Sequence, residues 1–165
     1  MVTETGESRQ YVTFCLGEEL FGVEVTRARE ILDLVPVTKV PQTPDYLLGV
    51  INLRGQVVPV VDLRIKLGLP KAMETRDSCI IVMEVQVDGE VLTVGGLADS
   101  VREVLELRDD LIEPAPRLGL RLKTEFIAGM GKVDEQFLIL LEIDRVFSSE
   151  ELALVQEAGE GGNAV

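Results

Sequence analysis

The chain has 165 residues, of which 46% are hydrophobic and 27% are charged, and its formal net charge is -13. This length suffices for one domain or for two small ones that share a core, and the negative charge disfavours binding to nucleic acid or to anionic lipid surfaces. Because the chain contains no histidine, it lacks the usual general base and the commonest metal ligand, and Ser-His or Cys-His nucleophile pairs cannot be built.

The first quarter of the chain predicts a flexible start, a hairpin and a short helix. Residues 1–10 lack the basic start and apolar stretch of a signal peptide. Two alternating segments then flank a turn at Gly17, which is typical of a hairpin. Thr26 can cap a short helix, because four apolar residues follow at helical spacing: Ala28, Ile31, Leu32 and Val35. Three prolines at 36, 41 and 44 end that helix in a loop.

Three further hairpins are predicted from turn dipeptides between apolar segments, at Arg54-Gly55, Asp88-Gly89 and Asp134-Glu135. Pro59 lies in the second strand of the first of these, so that strand should be an edge strand or bulged. A further strand is predicted over residues 101–107. Ser148 and Glu151 form a capping box that predicts a C-terminal helix over 148–158, followed by a flexible tail over 159–165.

No apolar segment is long enough to span a bilayer, which predicts a soluble protein without membrane insertion. Aromatic residues make up only 4% of the chain, so the core should be aliphatic and the valine-rich segments should be strands. Cys15 and Cys79 lie in apolar segments and are interpreted as buried thiols, and their spacing requires no disulfide.

An internal repeat appears when the chain is shifted by 80 residues. Gly49 then aligns with Gly129, Gln56 with Gln136, and Asp62 with Glu142. Both copies read as strand, turn, strand, acidic residue and aliphatic residue. Chance similarity between two amphipathic hairpins is one explanation, and two similar small barrels packed against each other is the other.

One ordered set of residues resembles the signature of CheW-like domains. It consists of the string Leu48-Gly49-Val50-Ile51-Asn52-Leu53-Arg54-Gly55, followed by Val57-Val58-Pro59-Val60-Val61-Asp62-Leu63-Arg64. Three flanking matches accompany it: Phe21-Gly22-Val23 with Glu30-Ile31, Ala128-Gly129-Met130-Gly131, and the segment that starts at Ser148.

This resemblance implies an all-β fold of two five-stranded SH3-like β-barrels packed on a shared hydrophobic interface, with one short internal helix and a C-terminal helix. The CheW-like domain would span 11–147, with barrel one at roughly 20–70 and barrel two at roughly 79–147, and a crossing of the first strand between the barrels stays open. It also implies a non-enzymatic, cytoplasmic adaptor without cofactor or metal. Such an adaptor couples the CheA histidine kinase to the cytoplasmic hairpin tip of methyl-accepting chemoreceptors, and is recruited to membrane-associated arrays.

The resemblance also implies a set of receptor-binding residues: Ala28, Glu30, Ile31, Asn52, Arg54, Val101 and Val104. An arginine at a turn can bind a partner carboxylate, or it can simply be solvated. Asn52 can bind a partner or satisfy the turn, and Glu30 can meet a receptor cation or face solvent. Ala28 and Ile31 can pack in the core. A groove between the barrels, beside the apolar segment 57–61, would suit a receptor helix.

Kinase binding is assigned to Val40, Pro41 and Tyr46, for which packing within the proline-rich loop is the alternative. Three other functions remain to be weighed. The chain could serve as a scaffold in a chemosensory pathway unrelated to motility. Asp62 or Glu142 could act as the acid or base of an enzyme, although no activating partner can be named. A nucleic-acid-binding barrel would need a basic stripe with stacking aromatics, which this composition does not offer.

Overall fold

A computed structural model describes residues 7–70, 73–114 and 124–147. In this part of the chain it contains ten strands: β1 (Ser8–Leu16), β2 (Glu19–Glu24), β3 (Ala28–Asp33), β4 (Leu47–Leu53), β5 (Gln56–Asp62), β6 (Cys79–Val87), β7 (Glu90–Ala98), β8 (Ser100–Arg108), β9 (Ile127–Val133) and β10 (Gln136–Leu141). The helical elements are short: α1 (Leu63–Lys66), α2 (Ile143–Val146) and two 3-10 turns, Asp109–Leu111 and Thr124–Phe126. The predicted all-β class is confirmed.

The predicted hairpins are confirmed, and their turn residues explain them. Arg54 and Gly55 both adopt positive φ, 52° and 85°, and Asp88 and Gly89 adopt 52° and 80°. Two consecutive residues with positive φ match the right-handed twist of the flanking strands, so these turns connect hairpins without splaying the strands.

The strands form two five-stranded sheets with the same plan. One sheet has the order β3-β6-β7-β5-β4, and the other has the order β8-β1-β2-β10-β9. Each contains one parallel contact, β5 with β7 and β2 with β10, among antiparallel neighbours. Position by position, the strands of the first sheet correspond to those of the second, so that β4 corresponds to β9 and β5 to β10. The 80-residue repeat relates these two hairpins.

Each sheet curls on itself. The segment that follows the first strand in the sheet order hydrogen-bonds to the strand at the other end of that order. Thr38 exchanges two backbone hydrogen bonds with Val50 of β4, at 2.9 and 2.8 Å, and Glu113 does the same with Met130 of β9, at 2.8 and 2.7 Å. Val50 and Met130 are related by the 80-residue shift. We call the first curled sheet barrel one and the second barrel two; the two-barrel prediction is confirmed.

The predicted barrel boundaries are wrong, because each barrel contains one hairpin that sequence order would assign to the other barrel. Hairpin β6–β7 completes barrel one, which therefore spans residues 28–98, whereas hairpin β1–β2 joins β8, β9 and β10 in barrel two. Residues 8–10, predicted to be flexible, belong to β1 and pair with β8. Local hairpin signals identify neighbours within a hairpin, but they do not show which sheet the hairpin joins.

The helix predicted after Thr26 is also wrong. Residues 28–33 form strand β3, which pairs antiparallel with β6. Their burial alternates, with Ala28, Glu30 and Leu32 half-buried and the residues between them exposed, including Ile31. The short helix inside the domain is instead α1, whose N-cap Asp62 accepts a hydrogen bond from the Arg64 backbone N–H at 3.0 Å. Pairing with β6 therefore overrides the helical spacing.

Three hydrophobic clusters confirm the shared interface. Barrel one encloses a small core of Ile51, Val58, Val60, Ile80 and Val82. Barrel two encloses Tyr11, Leu20, Leu138 and Leu140. The largest cluster joins both barrels and includes Phe14, Phe21, Val61, Met83 and Phe147. The segment 57–61 is thus apolar on both sides because Val58 and Val60 face their own barrel while Val61 faces the other.

Two predictions about single residues have mixed outcomes. β5 lies between β4 and β7, so Pro59 is not in an edge strand, and the bulge in the β4–β5 ladder, between Leu47 and Gly49, lies in β4 rather than at Pro59; that prediction is wrong. Both cysteines are free thiols, Cys79 buried and Cys15 half-buried.

The C-terminal helix over 148–158 and the tail over 159–165 lie outside the described residues.

Candidate functional site

The centre of the predicted receptor site is an ion pair between Glu30 and Arg54. Glu30 lies on β3 and Arg54 in the β4–β5 turn, at the two ends of the sheet order, so the curling of barrel one brings them together. The Arg54 side chain remains 69% exposed despite the pair. Ile31, the neighbour of Glu30, is an exposed large apolar residue. Barrel one thus presents a cation and an isoleucine on its outer surface.

The other barrel-one candidates have structural partners. The Asn52 side-chain oxygen accepts a hydrogen bond from the Gly55 backbone N–H at 2.9 Å, which stabilises the turn that presents Arg54. Ala28 is half-buried and packs against the shared core. Ala28 therefore supports the surface from below, whereas Asn52 stabilises the turn while remaining exposed itself.

The two barrel-two candidates lie on β8. Val101 is half-buried against the shared core, whereas Val104, which pairs with Val12, is 52% exposed. β8 is the first strand in the order of barrel two, as β3 is in barrel one. Val104 therefore offers exposed apolar surface on the strand equivalent to the one that carries Ile31.

The predicted kinase-binding residues belong to the loop between β3 and β4. Val40 and Pro41 line an open cleft together with Leu48, Ile65 and Leu69. Tyr46 is not part of that lining. Its backbone carbonyl accepts a hydrogen bond from the Asp62 backbone N–H at 2.7 Å, and the Lys66 ammonium lies 4.4 Å from its ring centroid. Tyr46 thus packs within the fold, while Val40 and Pro41 face the cleft.

Sequence reasoning missed the role of Arg64, the last residue of the signature string. Its guanidinium contacts Asp99, with Nε 3.0 Å from both carboxylate oxygens, and also donates to the Pro70 carbonyl at 2.9 Å. Asp99 lies between β7 and β8, where the chain passes from barrel one to barrel two, and it accepts the Gly17 N–H at 2.6 Å. We call this contact the first junction. It connects the two barrels, because Arg64 lies on α1 of barrel one and Gly17 in the β1–β2 turn of barrel two.

A second junction lies where the chain passes from β2 to β3. Arg27 donates to the Glu84 carbonyl at 3.1 Å and forms an ion pair with Asp144 of α2. Asp144 also accepts the Gln86 N–H at 2.8 Å. The 80-residue shift relates Asp144 to Arg64, so the junctions are equivalent in position but opposite in charge. That inversion is a signal in the sequence which could have revealed both.

Two acidic residues lie at or beside the first junction, and their pKa values are shifted in opposite directions. They are Asp99 and Asp62, the N-cap of α1. Burial raises the pKa of Asp62, against the hydrogen bonds from the backbone of Arg64 and Ile65. Burial would also raise the pKa of Asp99, but hydrogen bonds from Arg64 and Gly17 together with the Arg64 charge outweigh it, and the pKa is lowered. The Asp62 shift thus comes from burial, whereas the Asp99 shift comes from its contacts with Arg64 and Gly17.

Two other kinds of site, a metal centre and a membrane-spanning helix, have no candidate among the described residues. Among the described residues, no group of three or more acidic or cysteine side chains is arranged to hold a metal ion. The helices over the same ranges are all too short and too polar to cross a membrane.

Comparison with known proteins gives a consistent result. A model of the CheW-like domain matches residues 10–151. The "Chemotaxis protein CheW" of Klebsiella aerogenes is 36% identical over 152 residues, which cover 92% of this chain and 89% of that protein. The same-named protein of Rhizobium meliloti is 37% identical over 147 residues, covering 89% and 92%. The crystal structure of scaffolding protein TtCheW from Thermoanaerobacter tengcongensis superposes with a TM-score of 0.78 at 33% identity, covering 88% of this chain and 91% of that one.

Proposed function

The chain belongs to the CheW-like family of chemotaxis signalling adaptors, and from that premise we propose that it couples a CheA-type histidine kinase to chemoreceptors without catalysing a reaction. The receptor would be bound at the tip of its cytoplasmic helical hairpin, and the kinase through its own CheW-like domain. Two separate contact surfaces on one rigid body are what such a coupling requires.

The observation that carries this proposal is the exposure of Arg54 at the tip of the β4–β5 hairpin. Its turn is held by Asn52, and Glu30 beside it keeps the guanidinium oriented outward. A planar guanidinium held in this way can bind a carboxylate or a helix-end carbonyl of a partner. Because the Arg54 side chain is 69% exposed, its pair with Glu30 contributes little to stability, and the guanidinium is accessible to a partner.

The proposed receptor surface combines this cation with exposed aliphatic side chains. Ile31 on β3 and Val104 on β8 are both exposed, while Val101 lies half-buried at the shared core. An exposed cation and exposed aliphatic side chains are the kinds of group that a helical hairpin tip with mixed side chains can contact.

The proposed kinase surface is the cleft beside Val40 and Pro41. The β3–β4 loop forms much of its lining, together with Leu47 and Leu48 at the opposite end of β4 from the turn that carries Arg54. Loops held by a rigid scaffold are frequent binding elements. Tyr46 would act there by supporting the loop rather than by direct contact.

The place of action follows from this proposal. An adaptor of this kind works in the cytoplasm, recruited to membrane-associated receptor arrays rather than inserted in the bilayer. The pathway served can be motility or another chemosensory output, since both require the same two contacts.

Reciprocal capture experiments test the two surfaces together. Arg54→Glu should abolish capture by a chemoreceptor cytoplasmic fragment and leave kinase capture unchanged, because it reverses an exposed charge. Val40→Asp should do the opposite. Arg145→Glu, an exposed arginine on α2, and Val91→Asp, an exposed valine on β7, are the matched controls. Melting temperatures should vary by only a few degrees.

A charge swap distinguishes partner binding from an internal role. Glu30→Arg combined with Arg54→Glu restores an ion pair within barrel one but removes the cation from the turn. The proposal expects receptor capture to stay lost in the swapped protein. Recovery of capture would mean that the receptor needs only the intact ion pair, and would remove Arg54 from the contact surface.

A further inference from the structure

Strand β8 carries a bulge between the two residues that it contributes to the proposed receptor surface. Val104 pairs with Val12 of β1. Two positions further along β1, Phe14 pairs with Val101, so three residues of β1 face four of β8. Side chains that face each other across an antiparallel pair project from the same side of the sheet. Because of the bulge, Val101 and Val104 therefore share the face of the shared core, whereas residues three apart in a regular strand point to opposite faces.

A buried hydroxyl group holds this bulge. Thr13 lies between Val12 and Phe14 and is only 1% exposed. Its hydroxyl donates to the Glu103 backbone carbonyl at 2.7 Å and accepts a hydrogen bond from the Glu103 backbone N–H at 3.1 Å. The threonine side chain thus binds both backbone groups of the residue directly before Val104. Any other arrangement of the bulge would leave buried polar groups unpaired, so the two bonds favour this one.

Barrel one has a valine at the position equivalent to Thr13. Thr13 lies opposite Gly22 in barrel two, as Val82 lies opposite Gly95 in barrel one. The two glycines are equivalent, because each forms the parallel contact of its sheet and their partners in that contact are related by the 80-residue shift. The fold therefore accepts an aliphatic side chain here, and packing alone does not require the threonine.

The bulge itself occurs in both barrels. The ladder of β3 with β6 shifts register between Ala28 and Glu30, next to Val82. The bulged segments also read alike, as Ala28-Arg29-Glu30-Ile31 and Val101-Arg102-Glu103-Val104. Each segment thus ends in an exposed aliphatic residue of the proposed receptor surface, directly after a glutamate.

The two barrels hold this glutamate in different ways. In barrel one the Glu30 carboxylate pairs with Arg54. In barrel two the 80-residue shift places Asp134 at the position of Arg54, and Asp134 and Glu103 line the same open cleft. The attraction between side chains in barrel one is thus replaced by a repulsion in barrel two. The Thr13 hydroxyl holds Glu103 by its backbone instead.

We propose that Thr13 is a positioning residue for the part of the receptor surface that lies on β8. Its hydroxyl holds Glu103 in the bulge, and the bulge keeps Val104 on the same face as Val101. Thr13 itself is buried and contacts no partner. This role rests on the proposed function, since the position of the two valines matters for binding only if the receptor contacts them.

Affinities of Thr13 variants for the two partners test this role. Thr13→Val keeps the size of the side chain but removes both hydrogen bonds, so the dissociation constant for a chemoreceptor cytoplasmic fragment should rise about tenfold. Thr13→Ser keeps the hydroxyl and should bind the receptor like the wild type. Kinase affinity should not change in either variant, whereas a general loss of stability would lower both affinities. Thr93→Val, at a half-buried position of β7, is the matched control and should change neither.

A second substitution tests whether the ion pair of barrel one can replace the hydroxyl. Asp134→Arg gives barrel two the cation that Arg54 provides in barrel one. Added to Thr13→Val, it should recover receptor affinity by about threefold, the usual size of an exposed ion pair. Added to the wild type, it should change the affinity less, because Thr13 already holds Glu103.

NMR of the free protein tests the position of β8 without any partner. In the wild type the Glu103 amide should exchange slowly with solvent, and a nuclear Overhauser effect should connect Val12 with Val104. Thr13→Val should speed the exchange of Glu103 about tenfold and weaken that effect, while the Val82 amide of barrel one stays protected. If the wild type binds no receptor but these changes occur, the proposed function fails and the positioning by Thr13 stands.

Three results would overturn the role of Thr13. The first is unchanged receptor affinity in Thr13→Val while Arg54→Glu still abolishes capture, which leaves the proposed function intact. The second is an equal loss of receptor and kinase affinity, and the third is a loss that Thr13→Ser does not avoid. If Thr13→Val does not fold, Thr13→Ala, which also lacks the hydroxyl but cannot crowd the core, replaces it in each measurement.

Discussion

The two barrels share one plan but fill equivalent positions with different chemistry. At the first junction the crossing segment carries the acid, Asp99, and the helix carries Arg64. At the second junction the crossing segment carries Arg27 and the helix carries Asp144. The architecture therefore requires a charged pair where the chain passes between barrels, but it does not specify which side is positive.

The junctions also differ in how closely they are packed. The Arg64 side chain is 15% exposed and that of Arg27 is 26% exposed. Arg64 binds a second element through the Pro70 carbonyl, and Asp99 holds the β1–β2 turn through Gly17. The arginine of the first junction is thus the less hydrated of the two, while the two acids are similarly exposed at 32% and 28%, and we expect the first junction to contribute more to stability.

The largest expected effect is the loss of stability when alanine replaces the glycine at which each barrel closes, Gly49 in barrel one and Gly129 in barrel two. A Cβ atom at Gly49 would lie 2.1 Å from the Thr38 carbonyl oxygen, and Gly49 has a φ of 147°. At Gly129 the nearest atom, 2.5 Å away, belongs to the Ile112 side chain, which can shift. Gly49→Ala should therefore lower the free energy of unfolding by at least about 3 kcal/mol, and Gly129→Ala by about 1–2 kcal/mol.

Urea unfolding of both alanine variants measures this difference. Gly55→Ala serves as the control for conformational strain alone, because a Cβ there meets no atom within 4 Å while φ is still positive. Its loss of stability should be smaller than that of Gly49→Ala. Equal losses at 49 and 129 would mean that the two closures tolerate a side chain alike.

The second comparison removes the arginine from each junction. Arg64→Ala leaves Asp99 without its cation and should lower the free energy of unfolding by about 2 kcal/mol, between the values for exposed and buried pairs. Arg27→Ala should cost about 1 kcal/mol because its pair is more hydrated. Chemical denaturation measures both, with Arg108→Ala, whose pair with Asp110 is local and exposed, as the control. A larger loss at Arg27 would reverse the ranking of the junctions.

The sequence was sufficient for the hairpins and for the repeat, because both depend on local or regularly spaced residues. The turn residues at 54–55 and 88–89 require positive φ, and that preference is local. The helix expected at Ala28, Ile31 and Leu32 failed because the same residues also fit a strand, and the hairpin β6–β7 decides between them from 50 residues away. Which barrel a hairpin joins likewise depends on pairing with strands that are distant in the sequence, and the local residues do not specify it.

The candidate site was predictable only in part for the same reason. Arg54 could be identified from its turn and its place in the signature string. Its pairing with Glu30 could not, because it depends on the curling of barrel one, which brings together strands at opposite ends of the sheet order. The Arg64–Asp99 contact depends on the crossing between barrels and was missed entirely.

The smallest expected effect is the pH dependence of stability at Asp99 of the first junction and at Asp62, the N-cap of α1 beside it. Because the folded state lowers the pKa of Asp99, its ionised form stabilises the fold above the unfolded pKa of about 3.9, and this contribution is lost as the pH falls below it. Asp99→Asn should therefore be about 1 kcal/mol less stable than wild type at pH 7, and the difference should shrink toward pH 3.

Asp62 should behave in the opposite sense. Its pKa is raised by burial, so its ionisation opposes folding and wild-type stability gains as the pH falls through the folded pKa. Asp62→Asn keeps an oxygen for the cap of α1 and should be at least as stable as wild type at pH 7, losing that advantage in acid. Urea titrations of the two asparagine variants between pH 7 and pH 3 would then diverge in sign. Parallel profiles would mean that Arg64 acts on both carboxyls as one group, and that the first junction is a three-residue charge cluster rather than a pair beside a helix cap.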